Sequence, residues 1–346
     1  MSIYKPIYPY NPIVICEIKI LLLQPMTEIE DIVEDNPNPR TWKHKLWNVT
    51  KLVLKLAVTT VLLWYVFSKV PLREVKDRLI HANYWWMLLG VVMYFFSMVA
   101  SSWRLLSFFK SIDLRLDTRF NFRLYLLGIF YNLLLPGGIG GDGYKIYLLH
   151  KRYKLQPKKV FWAIAFDRLS GLWAIGLIVV VLTIFIPQIQ EQIHIAIPMV
   201  IFVVGTGVYY LIVKIFFKDF TKHFFKGHAK AVIVQSFQVL TILCVLMGQD
   251  FNGKYAPYLL SFLISALAAV VPITFGGAGA REAIFQRLSP IFHMNVGLAV
   301  FISVSFYLTS LLVALSGLYY VLRPSRLEEG LPSIGTKDSD NNLPSK

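Results

Sequence analysis

The chain has 346 residues, of which 56% are hydrophobic and 16% are charged, and its mean hydropathy is +0.56. Soluble domains carry about a quarter charged residues, so this composition excludes a protein with a mostly polar surface and favours one that faces lipid. The formal net charge of +15 does not indicate nucleic-acid binding, because the basic residues lie in short loops between apolar runs, as in membrane proteins.

The N-terminal segment, residues 1–44, is predicted to be cytoplasmic. Its apolar stretch contains Glu17 and Lys19 and lacks a small-residue cleavage site, so it is not expected to be a signal peptide. Residues 1–25 differ in character from the rest of the chain, and the hypothesis is that translation naturally begins at Met26.

Apolar runs of about 20 residues are long enough to cross the hydrocarbon core as helices. Two shorter apolar segments, 121–135 and 257–275, each run into a proline and then a glycine cluster, which break a helix. The sequence therefore predicts an all-α polytopic membrane protein with about six full transmembrane helices and two re-entrant broken helices in an inverted repeat. The six runs are 52–68, 84–103, 160–186, 193–217, 231–249 and 296–322.

The Lys and Arg content of the loops predicts the orientation. Both flanks of 121–135 are strongly basic, so this segment is predicted to dip in from the cytoplasm and return. The loop 187–192 has no Lys or Arg and is placed outside, whereas 214–230 has five lysines and is placed inside. The loops alternate consistently between the two sides of the membrane if 257–275 dips in from the outside. Both termini then lie on the cytoplasmic side of the cell (inner) membrane. The loop 69–83, with mixed charges, fits least well.

The two glycine clusters follow one pattern, Pro-x3-Gly-Gly-x-Gly-x-(Lys/Arg), with matching positions 136 residues apart. An odd number of predicted crossings separates them, so the first membrane repeat, 45–186, is followed by an inverted second repeat, 187–325. Broken helices that meet near the midplane of an inverted repeat are typical of transporters. The alternative is close helix packing, which small residues permit. The candidate cavity residues are Pro136, Gly140, Gly141, Asp142, Gly143 and Lys145 in the first cluster, and Pro272, Gly276, Gly277, Gly279 and Arg281 in the second.

Ionisable residues inside predicted spans indicate function, because a charge at membrane depth costs a few kcal/mol. Asp167 and Arg168 lie in the run 160–186, and Arg168 is expected to meet either a lipid phosphate or an acid such as Asp142. The alternative is that both side chains snorkel to water. Arg104 ends its predicted span and is expected to be a cytoplasmic anchor or a phosphate contact.

Two further polar positions adjoin the glycine clusters. Arg281 and Glu282 follow the second cluster, where a helix N-terminus and an arginine together favour phosphate; the alternative is an ordinary interfacial charge pair. Asn132, one turn before Pro136, is expected either to hydrogen-bond backbone groups freed by the helix break or to pack helices through its amide. No cofactor, metal site or catalytic residue is predicted, and a GxGxxG match at 138–143 is set aside because no strand precedes it.

Three motifs in this order resemble the lysylphosphatidylglycerol synthase transmembrane-region family of flippase-like membrane proteins. They are Asn132-LLL-Pro136-GGIGGDGYK, Phe166-Asp167-Arg168-Leu169 and Pro272-ITFGGAGA-Arg281-Glu282. The resemblance covers about residues 45–325. The family more often has Glu before the Arg of the middle motif and an acid plus Arg in the first, so Asp142 with Lys145 is the larger departure and leaves the substrate open.

The resemblance implies translocation of a modified phospholipid, or of a polyprenyl-linked sugar, between leaflets. Bifunctional family members carry a soluble synthase domain after the membrane part; here only residues 326–346, predicted to be a disordered cytoplasmic tail, follow, so lipid synthesis is not expected. A lipid-modifying membrane enzyme that uses Asp167 or Glu282 as a base, and an accessory subunit of a glycosyltransferase, remain the alternatives. The expected partners are membrane lipids and either a second copy of the chain or a synthase or glycosyltransferase, and not nucleic acid.

Overall fold

The computed structural model describes residues 72–134, 140–270 and 280–327, together with Glu329. These residues belong to one compact unit, Thr59–Lys346, and they form helices and no strand, which confirms the predicted all-α polytopic class within the described part. Two four-residue helical turns, Pro187–Gln190 and Lys218–Thr221, are not numbered here. A short 3₁₀ helix, Pro324–Arg326, is likewise left unnumbered. The other α-helices are α1 Leu72–Ile80, α2 Tyr84–Ser111, α3 Thr118–Leu134, α4 Gly140–Tyr153, α5 Pro157–Thr183, α6 Ala196–Phe216, α7 Phe224–Met247, α8 Tyr255–Val270, α9 Ala280–Leu288, α10 Val296–Leu315 and α11 Leu318–Leu322.

Five helical segments of the described chain are long and apolar enough to cross a membrane: α2, α5, α6, α7, and α10 with α11 as Val296–Leu322. They correspond to five of the six predicted spans, and the protein is a multi-pass membrane protein. The sixth predicted span, 52–68, and the proposed start at Met26 lie outside the described residues. The part of α2 from Tyr84 to Trp103 matches the predicted run, but the helix continues for two more turns to Ser111.

Helices α2 and α7 run antiparallel in extensive contact. At one end the backbone N–H of Asn83 donates to the carbonyl of Gly248 at 2.8 Å, and at the other the Ser111 hydroxyl lies 3.4 Å from Nδ1 of His223. The first of these is called the Asn83 end. The second is called the basic end, because the chain there carries Lys110, Arg115, Lys158, Lys159, Lys218, Lys222 and Lys226.

Two helical hairpins flank the glycine clusters, α3 with α4 and α8 with α9. The first opens at the basic end, where the Arg152 guanidinium at the end of α4 lies 5.9 Å from the centre of the Phe120 ring at the start of α3. The second opens at the Asn83 end, where the hydroxyl of Tyr258 in α8 accepts from the N–H of Asn295, just beyond α9, at 2.9 Å. The hairpins therefore open toward opposite ends of the bundle.

The contacts between helices are reciprocal between α2–α5 and α7–α10. Each contact among the first four helices has a counterpart among the second four, as in α4 with α5 and α9 with α10. Contacts across the halves are also paired, because α5 packs on α7 and α8 as α10 packs on α2 and α3. Two similar four-helix units thus pack on one another through α2 and α7.

Burial within the bundle is uneven. Helix α10 lies at the centre: 78% of the apolar 18-residue stretch within Val296–Leu322 is buried, whereas 6% of the corresponding stretch of α6 is buried. Val213 is the buried side chain of α6, and the rest of that helix presents apolar residues such as Val203 and Ile201 outward. A surface of this composition suits contact with lipid chains.

Candidate functional site

A buried ion pair joins α2 to α5. Nε and Nη2 of Arg104 donate to Oδ1 and Oδ2 of Asp167 at 2.7 and 2.9 Å, and both side chains are buried. Gly171 lies one turn after Asp167, and a Cβ at this position would stand 3.2 Å from Nη1 of Arg104. The missing side chain of Gly171 therefore leaves room for the guanidinium between the two helices.

A second carboxylate, Asp142 in the first turn of α4, is shared by two cations. Nζ of Lys145 donates to Oδ1 at 3.2 Å, and Nε and Nη2 of Arg168 lie 2.7 and 2.6 Å from Oδ2. Asp142 and Lys145 are buried, but 42% of the Arg168 side chain is exposed. Arg168 is thus the accessible part of an otherwise closed site.

Helix α5 contributes one residue to each ion pair, Asp167 to the first and Arg168 to the second. Neighbours on an α-helix point about 100° apart, so Asp167 faces α2 while Arg168 reaches α4. We call Arg104, Asp142, Lys145, Asp167 and Arg168 the charge cluster. Its three cations and two carboxylates leave one positive charge in excess. Buried ions cost several kcal/mol each unless they are paired, which explains why both carboxylates are paired with cations.

Helices α3 and α4 approach each other at two glycines. A Cβ on Gly141 would overlap the carbonyl of Gly128, and a Cβ on Gly128 would overlap the Lys145 side chain. The N–H of Gly141, at the start of α4, donates to Oδ1 of Asn132 in α3 at 2.8 Å. Nζ of Lys145 lies 4.6 Å from the centre of the Tyr125 ring. The first glycine cluster therefore brings two helices close together and also delivers Asp142 and Lys145 to the site.

The second hairpin contributes Arg281 and Glu282. The Arg281 guanidinium lies 4.9 Å from the centre of the Phe306 ring and 5.8 Å from that of Phe262. Its Nη1 atom is buried and has no hydrogen-bond partner among the described residues. Glu282 accepts from the Ser303 hydroxyl at 3.0 Å. Arg281 thus presents an unsatisfied donor at the position that matches Lys145 in the repeat.

Aromatic rings lie beside both basic residues that follow the glycine clusters. Tyr125 lies beneath Lys145, and Phe306 lies beside Arg281. The ring of Tyr94 in α2 meets that of Phe306 edge-on, with the centroids 5.3 Å apart. Each of the two cations is therefore packed against aromatic side chains.

The structure brings together part of the predicted set. Asp142, Lys145 and Arg168 are in contact, as predicted for Arg168 with Asp142. Asn132 binds the backbone of Gly141, the residue before Asp142, and Asp167 precedes Arg168 on α5 but faces α2. Gly140 and Gly143 lie in the first turn of α4, and Gly143 has open space around it. The remaining candidates, Pro136, Pro272, Gly276, Gly277 and Gly279, lie outside the described residues.

The structure corrects one expectation, for Arg104, and excludes one alternative, for Asp167. Arg104 is not an anchor at a helix end, because α2 continues past it to Ser111 and its guanidinium is buried on Asp167. Asp167 does not snorkel to water, because the same pair buries it. An arginine at the edge of an apolar run is predicted to lie at the membrane interface, because the sequence does not show which helix faces it.

The residues that sequence reasoning missed are Tyr94, Tyr125, Asn121 and Ser303. The amide of Asn121 donates to the carbonyl and the hydroxyl of Ser102, both at 2.8 Å, and ties α3 to α2. A usable signal was the run of small hydroxyl residues in α2, which includes Ser97, Ser101 and Ser102. Such residues face helix neighbours rather than lipid.

A family model matches most of the chain. Its description is lysylphosphatidylglycerol synthase TM region, and the match covers residues 52–317. No curated protein is similar enough to count as a match. The matched range contains every described member of the charge cluster and both helical hairpins.

Proposed function

We propose, from the premise that the chain belongs to the lysylphosphatidylglycerol synthase transmembrane-region family, that it moves a phosphate-bearing lipid between the leaflets of the cell membrane. The candidate lipids are a modified phospholipid and a polyprenyl-linked lipid, which share an anionic phosphate. The observation that carries the proposal is the charge cluster, which is net positive, is buried between apolar helices and has one accessible cation, Arg168. Intramembrane charges of this kind mark substrate pathways.

Because Arg168 is partly exposed, it can exchange the Asp142 carboxylate for a lipid phosphate. Asp142 is held by two cations, so a lipid phosphate that takes over Arg168 leaves Asp142 paired with Lys145. No carboxylate is then left buried and uncompensated, which is the costly outcome. Planar guanidinium groups bind phosphate well because they donate two parallel hydrogen bonds.

An inverted repeat is part of the proposal. The halves 45–186 and 187–325 would be related by an axis in the membrane plane, with the two hairpins as re-entrant helices from opposite faces. The reciprocal helix contacts and the opposite openings of the hairpins support this arrangement. Arg281 would then offer the second anion position, on the hairpin that opens at the Asn83 end. A headgroup passing between Arg168 and Arg281 would keep its acyl chains in lipid throughout.

The test is leaflet exchange of headgroup-labelled anionic and lysyl-modified phospholipids in liposomes that contain the purified protein. We expect the protein to accelerate exchange and Arg168→Ala to slow it at least about tenfold, the effect of losing about 1.4 kcal/mol of phosphate contact. Arg115→Ala is the matched control, because Arg115 is an exposed arginine at the basic end and away from the cluster.

The alternatives give other results. Equal loss in the Arg168 and Arg115 variants would mean that surface charge, rather than the cluster, governs exchange. Chemical conversion of a labelled lipid without exchange would place the protein among lipid-modifying enzymes. If no lipid is either exchanged or converted, the remaining function is that of an accessory subunit of a glycosyltransferase.

A further inference from the structure

A cavity opens at the basic end of the bundle, separate from the charge cluster. Its volume is 650 Å³, within the range of about 300–1,000 Å³ for small-molecule sites. It lies where α2 ends, α5 begins and α6 ends. The lining residues are Ile112, Gln156, Lys158, Lys159, Trp162, Ile215, Phe216, Phe217, Lys218, Asp219 and Phe220.

The cavity carries a local excess of positive charge. Lys158 and Lys159 come from the first turn of α5, and Lys218 faces them from the helical turn after α6. None of the three ammonium groups makes an ion pair with a carboxylate of the described residues. Asp219 is the acidic residue in the lining, so three cations stand against one carboxylate. Such a balance favours an anionic ligand.

The floor of the same cavity is apolar and aromatic. Phe220 and Ile112 are buried beneath it, and the rings of Trp162 and Phe217 pack with their centroids 4.6 Å apart. Phe216, with 73% of its surface exposed, extends the apolar lining outward along the end of α6. A free phosphate would use the lysines and gain nothing from this floor, whereas a lipid would use both.

The position of the cavity suits a lipid headgroup. It lies where two of the candidate spans, α5 and α6, have their basic ends, and aromatic and basic side chains at that depth mark the membrane interface. Basic pockets between transmembrane helices bind anionic headgroups.

We propose that this cavity binds the headgroup of an anionic phospholipid of the surrounding leaflet, with Lys158, Lys159 and Lys218 around the phosphate. The site is not the charge cluster: Lys158 and Asp167 are about 13 Å apart along α5 at 1.5 Å per residue, and the cavity lining includes no member of the cluster. The inference does not depend on lipid transport, because the site requires only a bilayer beside it.

The test is native mass spectrometry of the full chain in detergent, titrated with phosphatidylglycerol, with phosphatidylethanolamine and with inorganic phosphate. We expect phosphatidylglycerol to bind in preference to phosphatidylethanolamine. The double variant Lys158→Gln/Lys159→Gln should bind it roughly 25-fold more weakly, since each lysine near an anionic headgroup contributes about fivefold.

Two further variants keep the test specific. Asp219→Asn removes the one carboxylate of the lining and should tighten phosphatidylglycerol binding a few-fold. Lys222→Gln/Lys226→Gln removes the same charge from exposed positions at the same end that do not line the cavity, and should leave binding unchanged.

Equal weakening by the two double variants, or no tightening by Asp219→Asn, would overturn the site. Inorganic phosphate that displaces phosphatidylglycerol at equal concentration would overturn the assignment to lipid. Because all of these side chains are exposed, a single symmetric gel-filtration peak is expected for every variant. If a lysine variant does not give such a peak, Asp219→Asn decides the test, because tighter binding cannot result from misfolding.

Discussion

The two carboxylates of the charge cluster differ in how many cations they hold. Asp167 has one partner, Arg104, in a two-point contact, whereas Asp142 has two, Lys145 and Arg168. Removing a partner from a one-to-one buried pair leaves an uncompensated charge, but removing one of two leaves a neutral pair. The Arg104–Asp167 pair is therefore expected to be structural, and the Asp142 group is expected to tolerate rearrangement.

This difference gives a prediction for Asp167. Asp167→Ala should destabilise the protein by about 3–5 kcal/mol, because Arg104 stays buried without a partner. The double change Arg104→Met/Asp167→Leu replaces both charges with apolar groups and should recover most of the loss. Thermal unfolding in one detergent measures both. A double variant no more stable than the single one would contradict the assignment.

Arg281 should respond in the opposite way to Arg104. Its Nη1 has no partner among the described residues, so burial costs energy that the contacts with Phe306 and Phe262, at about 0.5–2 kcal/mol each, offset only in part. We expect Arg281→Met to unfold at an equal or higher temperature while slowing lipid exchange. Arg104→Met, with the same change of side chain, should unfold at a lower temperature. A large loss of stability in Arg281→Met would show that the arginine is structural.

At the scale of elements, the first hairpin depends on backbone contact between α3 and α4. Gly128 and Gly141 face each other so closely that a side chain on either overlaps the other helix or Lys145. The contact sets the position of α4, and with it the positions of Asp142 and Lys145. Helix packing and a functional site are therefore not alternatives for these glycines, because the packing places the charges.

Two glycines in the same turn make a matched test. Gly141→Ala should force α3 and α4 apart and lower the yield or the unfolding temperature of the folded protein. Gly143→Ala meets no atom within 4 Å and should be neutral or stabilise by about 0.5–1 kcal/mol, because alanine favours a helix over glycine. Equal effects in the two variants would contradict the close approach.

At the scale of the whole molecule, the basic end is predicted to be cytoplasmic. Replacing Cys16 and Cys244 with Ser gives a background free of cysteine. Single cysteines at the exposed positions Arg115 and Lys222 should then resist a membrane-impermeant thiol reagent in intact cells. Those at Gln192 and Asn252 should react. The reverse pattern would invert the orientation, and a mixed pattern would contradict the helix pairing.

Hydrophobic length alone was enough to find five spans and to assign the all-α class. The proline and the glycine cluster after each of them marked 121–135 and 257–275 as different. The described parts of these segments lie in α3 and α8, each packed on the short helix that follows it. It misjudged Arg104, because an arginine near the edge of an apolar run carries the same local signal whether it meets water or Asp167. Tyr94 and Tyr125 were missed since nothing in the spacing of aromatic residues says which of them face the interior.

Five spans and the repeated glycine pattern could be found from the sequence alone, because crossing a bilayer requires each helix to satisfy its own backbone and coat itself with apolar side chains, which is a local condition. The pairing of the charges could not be found in this way. Arg104 and Asp167 are 63 residues apart and Asp142 and Arg168 are 26 apart, so their contacts depend on which helices touch and on how each is rotated. A rotation of 100° per residue sends Asp167 and Arg168 to different partners, and that choice is fixed by packing among α2, α4 and α5.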